Sequence, residues 1–278
     1  MESFTEDGSH LQLYGKLKEA MGQLTSVDRR EYASLRRESA ASAIRSAAIV
    51  VCTCSACGDS FMAAMRFNNV VIDEAGQALE PECILPIRLG ARRVVLVGDS
   101  KQLGPVVTSR KAQAKGAAIS LFARLELIGV PSVLLDVQHR MHASIADFIS
   151  GEFYDGRVVN AEGVSAPRAD VSFAWPDPAR PFFFWHVRDP ARFEQHGGRR
   201  GTSAYNVLEA DRVVECVDAL LVGGAACSEI GVIAMYDAQR ALIRGKLNSG
   251  VQVDNVDAFQ GEERSFIVVS LTRSNEMG

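Results

Sequence analysis

The 278 residues hold no apolar run long enough to cross a bilayer, and no secretory leader or transit pattern is visible near Met1. The expectation is a chain that does not engage a membrane. The six cysteines lack the spacing of a secreted disulfide framework, which points to a reducing compartment. Cys52, Cys54 and Cys57 cluster, but no nearby His or second cysteine pair supplies the fourth ligand of a zinc site. They read as structural or incidental. An excess of positive charge is also missing. The net charge is -4 and the pI about 5.8, which argues against a polyanion binder working by bulk charge. With 47% hydrophobic and 23% charged residues, the composition is that of a globular protein of one or two domains.

The most informative stretch runs from Val70 to Val107. Val70-Val71-Ile72 leads into Asp73-Glu74, and Val94-Val95-Leu96-Val97 leads into Gly98-Asp99. Short runs rich in Val and Ile read as strands buried on both faces of a parallel sheet. Ligands of such sheets bind just past the carboxyl ends of the strands. Asp73, Glu74, Asp99 and Gln102 therefore belong on the lip where ligand chemistry occurs. A carboxylate after a buried strand is the usual holder of Mg²⁺ on a phosphate chain, so Asp73 suits a nucleoside triphosphate. Glu74 is placed to polarise an attacking water, and Gln102 offers a donor and an acceptor to the terminal phosphate. An isolated Asp-Glu pair is as often polar punctuation. The repeat of strand, acid and loop, followed by Gly104 and Pro105, favours the chemical reading.

DEAGQALEPE from Asp73 and VGDSKQLGPVV from Val97 resemble motifs II and III of superfamily 1 helicases. Gln138-His139-Arg140-Met141-His142 resembles motif IV, and Val256 to Glu263 (VDAFQGEE) resembles motif V. The four blocks stand in family order, and the likeness extends from about Ala33 to Asn275. It is strongest to the nonsense-mediated-decay RNA helicase and senataxin-like group. The resemblance implies an ATP-dependent helicase acting on single-stranded RNA or DNA. It would use ATP and Mg²⁺, the nucleotide lying between two domains. Partners of an mRNA-decay type complex and a cytoplasmic location, with the nucleus as the alternative, follow from the same likeness. Asp73 would hold Mg²⁺, while Glu74, Gln102 and Arg140 would be catalytic. Arg140 would clamp the terminal phosphate from the second domain. Asp99, Gly261 and Glu263 would line the nucleotide, the last at its sugar. Thr53, Ser55, Pro105, Val106 and Tyr236 would touch the nucleic-acid strand. Tyr236 falls in a block often written T-P-Y-x-x-Q, where this chain has Ala234 and Met235 in place of Thr and Pro. That departure removes a phosphate-binding hydroxyl.

The phosphate-loop pattern G-x-x-x-x-G-K-[ST] is absent from the 278 residues. Leu271-Thr272-Arg273-Ser274 resembles the arginine-finger motif VI, but it directly follows the strand after motif V, so true motif VI is expected beyond Gly278. The expected fold is accordingly α/β, with two RecA-like parallel-sheet domains, both incomplete, over residues 1–138 and 139–278. The alternative function is a non-catalytic nucleic-acid- or protein-binding remnant of a helicase.

Between the motifs, periodicity predicts further elements. Residues 1–48 read as polar and helical, with Leu11, Tyr14, Leu17 and Met21 at helical spacing. Strands are expected over 48–53, 133–137, 182–185, 230–234 and 266–270, and a short amphipathic helix over 120–128. Ser203 is expected to cap a helix from Ala204 whose buried stripe is Val207, Ala210, Val214, Val217 and Leu221. His139 and His142 read as packing and hydrogen-bonding residues, and Gly197 to Gly201 as a flexible connection.

Overall fold

The computed structural model describes residues 26–166, 170–187, 195–197, 203–247 and 249–273. The apolar spacing from Leu11 to Met21, and residues 198–201 of the glycine-rich connection, lie outside them. The chain divides into two compact units, Met1–Leu134 and Leu135–Gly278. The architecture is mixed α/β with small parallel sheets. Among the described residues, no helix is long and apolar enough to cross a membrane.

In the first unit, helix α1 (Ser26–Ser46) is largely exposed along its described side chains, as its mixture of Arg, Glu and Ser requires. Among its described side chains, Ala41 and Ile44 pack against the core. Two turns of 3-10 helix follow, Ser55–Gly58 and Ser60–Ala64. They bury Cys57, Met62 and Met65 against Leu89. Strands β1 (Asn69–Ile72) and β2 (Arg93–Leu96) pair in parallel, Asn69 opposite Arg93 and Ile72 opposite Leu96. Helix α2 (Glu80–Ile87) makes the crossover, and Pro81 sits in its first turn, where no backbone N–H is needed. A four-residue helix, α3 (Arg110–Gln113), precedes α4 (Leu121–Leu127), whose N-terminus is capped by Ser120 Oγ accepting from Ala123 N at 3.1 Å. Ile72, Ala75, Cys83 and Leu121 form the second core of this unit. Arg124 grips Glu80 with two bonds of 2.6 and 2.7 Å, tying α4 to α2. That bond holds the Glu80 carboxyl below its ordinary range.

The expectation that these strands are buried on both faces is wrong. Ile72 is 3% exposed, but Val71 is 68% and Val95 is 53% exposed. Among the described residues the sheet has two strands, which leaves Val71, Val94 and Val95 with few neighbours to cover them. Two predicted strands are likewise unpaired. Residues 48–53 form no ladder, and Ile49 and Val51 are exposed. Of 133–137 only Val137 pairs. β-propensity describes a side chain suited to a pleated, half-buried surface, and does not by itself supply the neighbouring strand. A contiguous apolar face of this kind drives association. The isolated chain is expected to self-associate, and Val71→Lys with Val95→Thr to raise the monomer fraction in sedimentation. A monodisperse wild-type chain would contradict this.

In the second unit, β3 (Val137–Gln138) pairs with β4 (Val159–Asn160), and α5 (Ala143–Tyr154) lies between them in sequence. His142 caps α5, its Nδ1 accepting from Ser144 N at 3.2 Å. Strands β5 (Gln195–Gly197) and β6 (Ser203–Tyr205) are antiparallel. The main sheet has order β8-β7-β9, all parallel, from β7 (Ile230–Ala234), β8 (Gln252–Asp254) and β9 (Phe266–Ser270). Helices α6 (Val207–Val222) and α7 (Asp237–Lys246) supply its core with Ala210, Val213, Val217, Leu220 and Ile243.

Three local expectations change here. Ser203 lies in β6 rather than capping α6. The cap is Asn206, whose Oδ1 accepts from Glu209 N at 3.1 Å. Ser203 Oγ instead accepts from Ala238 N, at the start of α7. The buried stripe of α6 is rotated: Val213 and Leu220 are buried, Val214 and Leu221 half-buried, and Val207 exposed. Residues 182–185 form no strand. Phe182 and Phe184 are exposed, while Phe183 packs near Phe173 and Trp175.

Candidate functional site

The sequence-predicted residues divide between the two units. In the first, the parallel pairing runs past the named strands: Val97 N donates to Ile72 O and Ala75 N to Val97 O, at 2.9 and 2.8 Å. The two strand ends then press together. A Cβ on Gly76 would lie 2.7 Å from Asp99 O, and one on Gly98 the same distance from Gly76 N. Only glycine permits this approach. It brings the Asp73-Glu74 turn beside the Asp99 turn, with Asp73 and Glu74 exposed and Asp99 half-buried.

Each carboxylate has a distinct setting. Asp73 Oδ1 accepts the Glu74 N–H at 3.0 Å. Glu74 has φ +51°, a left-handed conformation unusual for a residue with a side chain, and its Oε2 accepts from Gln77 Nε2 at 2.7 Å. Strain of that kind collects at functional sites. Asp99 shapes its own turn, accepting from Lys101 N at 2.9 Å and from Gln102 Nε2 at 2.8 Å. Gln102 is thereby oriented by Asp99. Pro105 is buried and Val106 is 78% exposed. Thr53, just before the first 3-10 turn, and Ser55, at its start, are exposed, and Thr53 Oγ1 accepts from Ala56 N.

In the second unit Arg140 Nε bonds Glu263 Oε2 at 2.8 Å, both side chains exposed. Arg140 is held by Gln138, a residue whose importance sequence spacing only hints at. Gln138 Oε1 accepts from Arg140 N at 2.9 Å and from Met141 N at 2.8 Å. Its Nε2 donates to Met141 O and to Asn160 Oδ1, and Asn160 in turn donates to Asp147. Gly261 has φ +76° and open space where a Cβ would stand, so the backbone there is approachable. Arg264, not anticipated from sequence, fastens this loop through Glu262, the Glu263 carbonyl and Gln252. Tyr236 is half-buried at the N-terminus of α7. The Gln of its block, Gln239, is fully buried, its Oε1 accepting from Asn206 N and its Nε2 donating to Asn206 O and Ser270 Oγ. Ser270 Oγ and Thr272 N both donate to Glu209 Oε1.

Two family models, each described as "AAA domain", match residues 4–110 and 117–278. The chain belongs to the AAA-domain family of superfamily 1 helicases. It is 39% identical over 98% of its length to the Arabidopsis thaliana "Regulator of nonsense transcripts 1 homolog", covering 22% of that protein. It is 41% identical over 94% of its length to the Neurospora crassa protein of the same description, covering 24%. Over 94% of its length it is 38% identical to the Saccharomyces cerevisiae "ATP-dependent helicase NAM7", covering 28%. Across the relatives compared, the chain spans 20% to 30% of their length.

The donor set admits a hydrated divalent ion carried by a triphosphate. Among the described residues no group of three or more His, Cys, Asp or Glu is arranged to hold a metal. Mg²⁺ on a nucleotide needs only one or two carboxylates, the remaining ligands being phosphate oxygens and water. Exposed Asp73 at the end of β1 meets that requirement.

Proposed function

We propose that this chain is part of an ATP-dependent helicase that couples ATP hydrolysis to movement along single-stranded RNA or DNA. The observation that carries the proposal is the Gly76–Gly98 approach, which sets exposed Asp73 and strained Glu74 beside the Asp99-oriented Gln102. Asp73 would hold Mg²⁺, and Glu74 would accept the proton of the attacking water. Gln102 and Arg140 would read the terminal phosphate, and Gly261 and Glu263 the nucleotide. Bound Mg²⁺-ATP supplies the phosphoryl group and neutralises charge as it transfers. In this reading both units are RecA-like and divide near residue 138. Thr53, Ser55, Pro105, Val106 and Tyr236 contact the strand, and Asp99 acts by holding Gln102. Partners of an mRNA-decay type complex accord with relatives described as regulators of nonsense transcripts, and a cytoplasmic setting belongs to the same proposal.

A second reading, a non-catalytic binding remnant, has one observation in its favour: none of the 278 residues forms G-x-x-x-x-G-K-[ST]. Strand binding tests the first reading on the chain as it stands. With a pI of about 5.8 and Ala234 where a hydroxyl is usual, single-strand affinity should be weak. It should fall steeply between about 50 and 200 mM salt, because phosphate contacts release counterions. Fluorescence anisotropy on a labelled oligonucleotide reads this. Tight binding that salt barely changes would contradict it.

A further inference from the structure

The exposed cysteine ahead of the first 3-10 turn meets a buried one within it. Cys52 Sγ lies 3.5 Å from Cys57 Sγ, in van der Waals or weak hydrogen-bond contact. The contact follows from the local fold. Residues 49–52 belong to no helix or strand; then Ala56 N and Cys57 N donate to Thr53 O and Cys54 O, at 3.1 Å each, and the turn folds Cys57 back over Cys52. Cys52 is open to solvent, and Cys57 is 6% exposed, packed beside Met62 and Leu89.

We propose that Cys52 and Cys57 form a reversible redox pair, a modification site that closes a disulfide around Thr53 to Ala56. A disulfide has an S–S length of about 2.05 Å, so the sulfurs must close by about 1.5 Å. Cys52 is exposed and lies outside every strand ladder among the described residues, so it is the sulfur placed to shift, whereas Cys57 is anchored in the core. The chemistry needs a peroxide as oxidant. The Cys52 thiolate attacks a peroxide oxygen. The O–O bond breaks, one oxygen leaves as water after taking a proton, and Cys52 becomes a sulfenic acid. The Cys57 sulfur then attacks the Cys52 sulfur, and hydroxide leaves with the Cys57 proton as water. Two thiols are oxidised and one peroxide is reduced to two waters. Burial and the Cys52 contact push the Cys57 thiol up to about 11, so the exposed cysteine is the one a peroxide finds first and Cys57 resolves it. A disulfide of this sort in a reducing setting is transient, made under oxidant and undone by thiols.

The bond encloses Thr53 and Ser55, the exposed hydroxyls assigned to the strand. Its effect on strand binding therefore rests on the proposed function, but its formation does not. The test treats the 278-residue chain with hydrogen peroxide and then blocks remaining thiols. The expected result is a loss of two thiols per chain and a Cys52–Cys57 linked peptide two hydrogens lighter than the pair, both reversed by dithiothreitol. Cys52→Ser, a change at an exposed position, should abolish the linkage. Cys57→Ser should leave Cys52 as a sulfenic acid that a dimedone probe labels. Predominant linkage through Cys54 or Cys83, or no linkage, would overturn the pairing. Oligonucleotide binding measured on the oxidised chain should weaken and recover on reduction. If the linkage forms and binding is unchanged, the redox pair stands and the assignment of Thr53 and Ser55 to the strand fails.

Discussion

Glu74→Gln is expected to lower ATP turnover by about 10²–10⁴, the usual worth of a general base, while leaving ATP binding nearly intact. The measurement is made on this chain joined to the phosphate-loop and motif VI segments of a relative, because the 278 residues contain no phosphate loop of their own. The reasoning is geometric. Gln matches Glu in shape and still accepts from Gln77, so the turn at φ +51° is kept and only the base is lost. Asp73 is untouched, so the proposed Mg²⁺ and nucleotide binding should persist. A companion change separates chemistry from stability. Glu74→Gly removes the side chain from a left-handed position that disfavours it by about 1 kcal/mol, so it should stabilise the fold while abolishing turnover. Full activity in Glu74→Gln would remove Glu74 from the catalytic set.

The largest effect on stability is expected from Gln239→Leu, a loss of about 1–3 kcal/mol in urea unfolding followed by a probe in the second unit. Gln239 is fully buried and is bonded to both backbone groups of Asn206, the cap of α6, and to Ser270 at the end of β9. Leucine fills similar space but leaves the Asn206 N–H buried without its partner, which costs about 1–3 kcal/mol, while Asn206 O keeps the Ala210 N–H. The damage should extend further. Ser270 also donates to Glu209, which accepts Thr272 N, so α6, α7 and β9 lose a shared junction. A loss under about 1 kcal/mol would show that water or a repacked side chain replaces the amide.

Which features the sequence made legible follows from how local their causes are. β7 and β9 match the expected spans because each is a short, predominantly apolar run. Asp73 and Glu74 were readable because the acid directly follows its strand. Gln138, Arg264 and the Gln239 junction were not, since their partners lie up to 33 residues away and only folding reveals them. The choice between Ser203 and Asn206 as cap is a tertiary decision. Both residues suit a helix start, and pairing of β6 with β5 assigns Ser203 to the strand. Exposure in the first unit was misjudged for a similar reason. Val71 and Val95 have the composition of a buried sheet, and a ladder of two strands leaves them with few neighbours. The likeness of motifs II to V carried the family, which the two AAA-domain matches bear out.

The central claim is that these residues supply the Mg²⁺-holding, water-activating and phosphate-reading parts of a helicase ATPase, and not the loop that seats the triphosphate. Steady-state ATP hydrolysis with and without single-stranded RNA or DNA, compared between the 278-residue chain and the completed fusion, tests it most directly. Phosphoryl transfer depends almost wholly on positioning and charge stabilisation, so the chain alone should stay at background and the fusion should show strand-stimulated turnover. Hydrolysis by the chain alone, or a folded fusion that binds ATP and strand yet never turns over, would contradict the account.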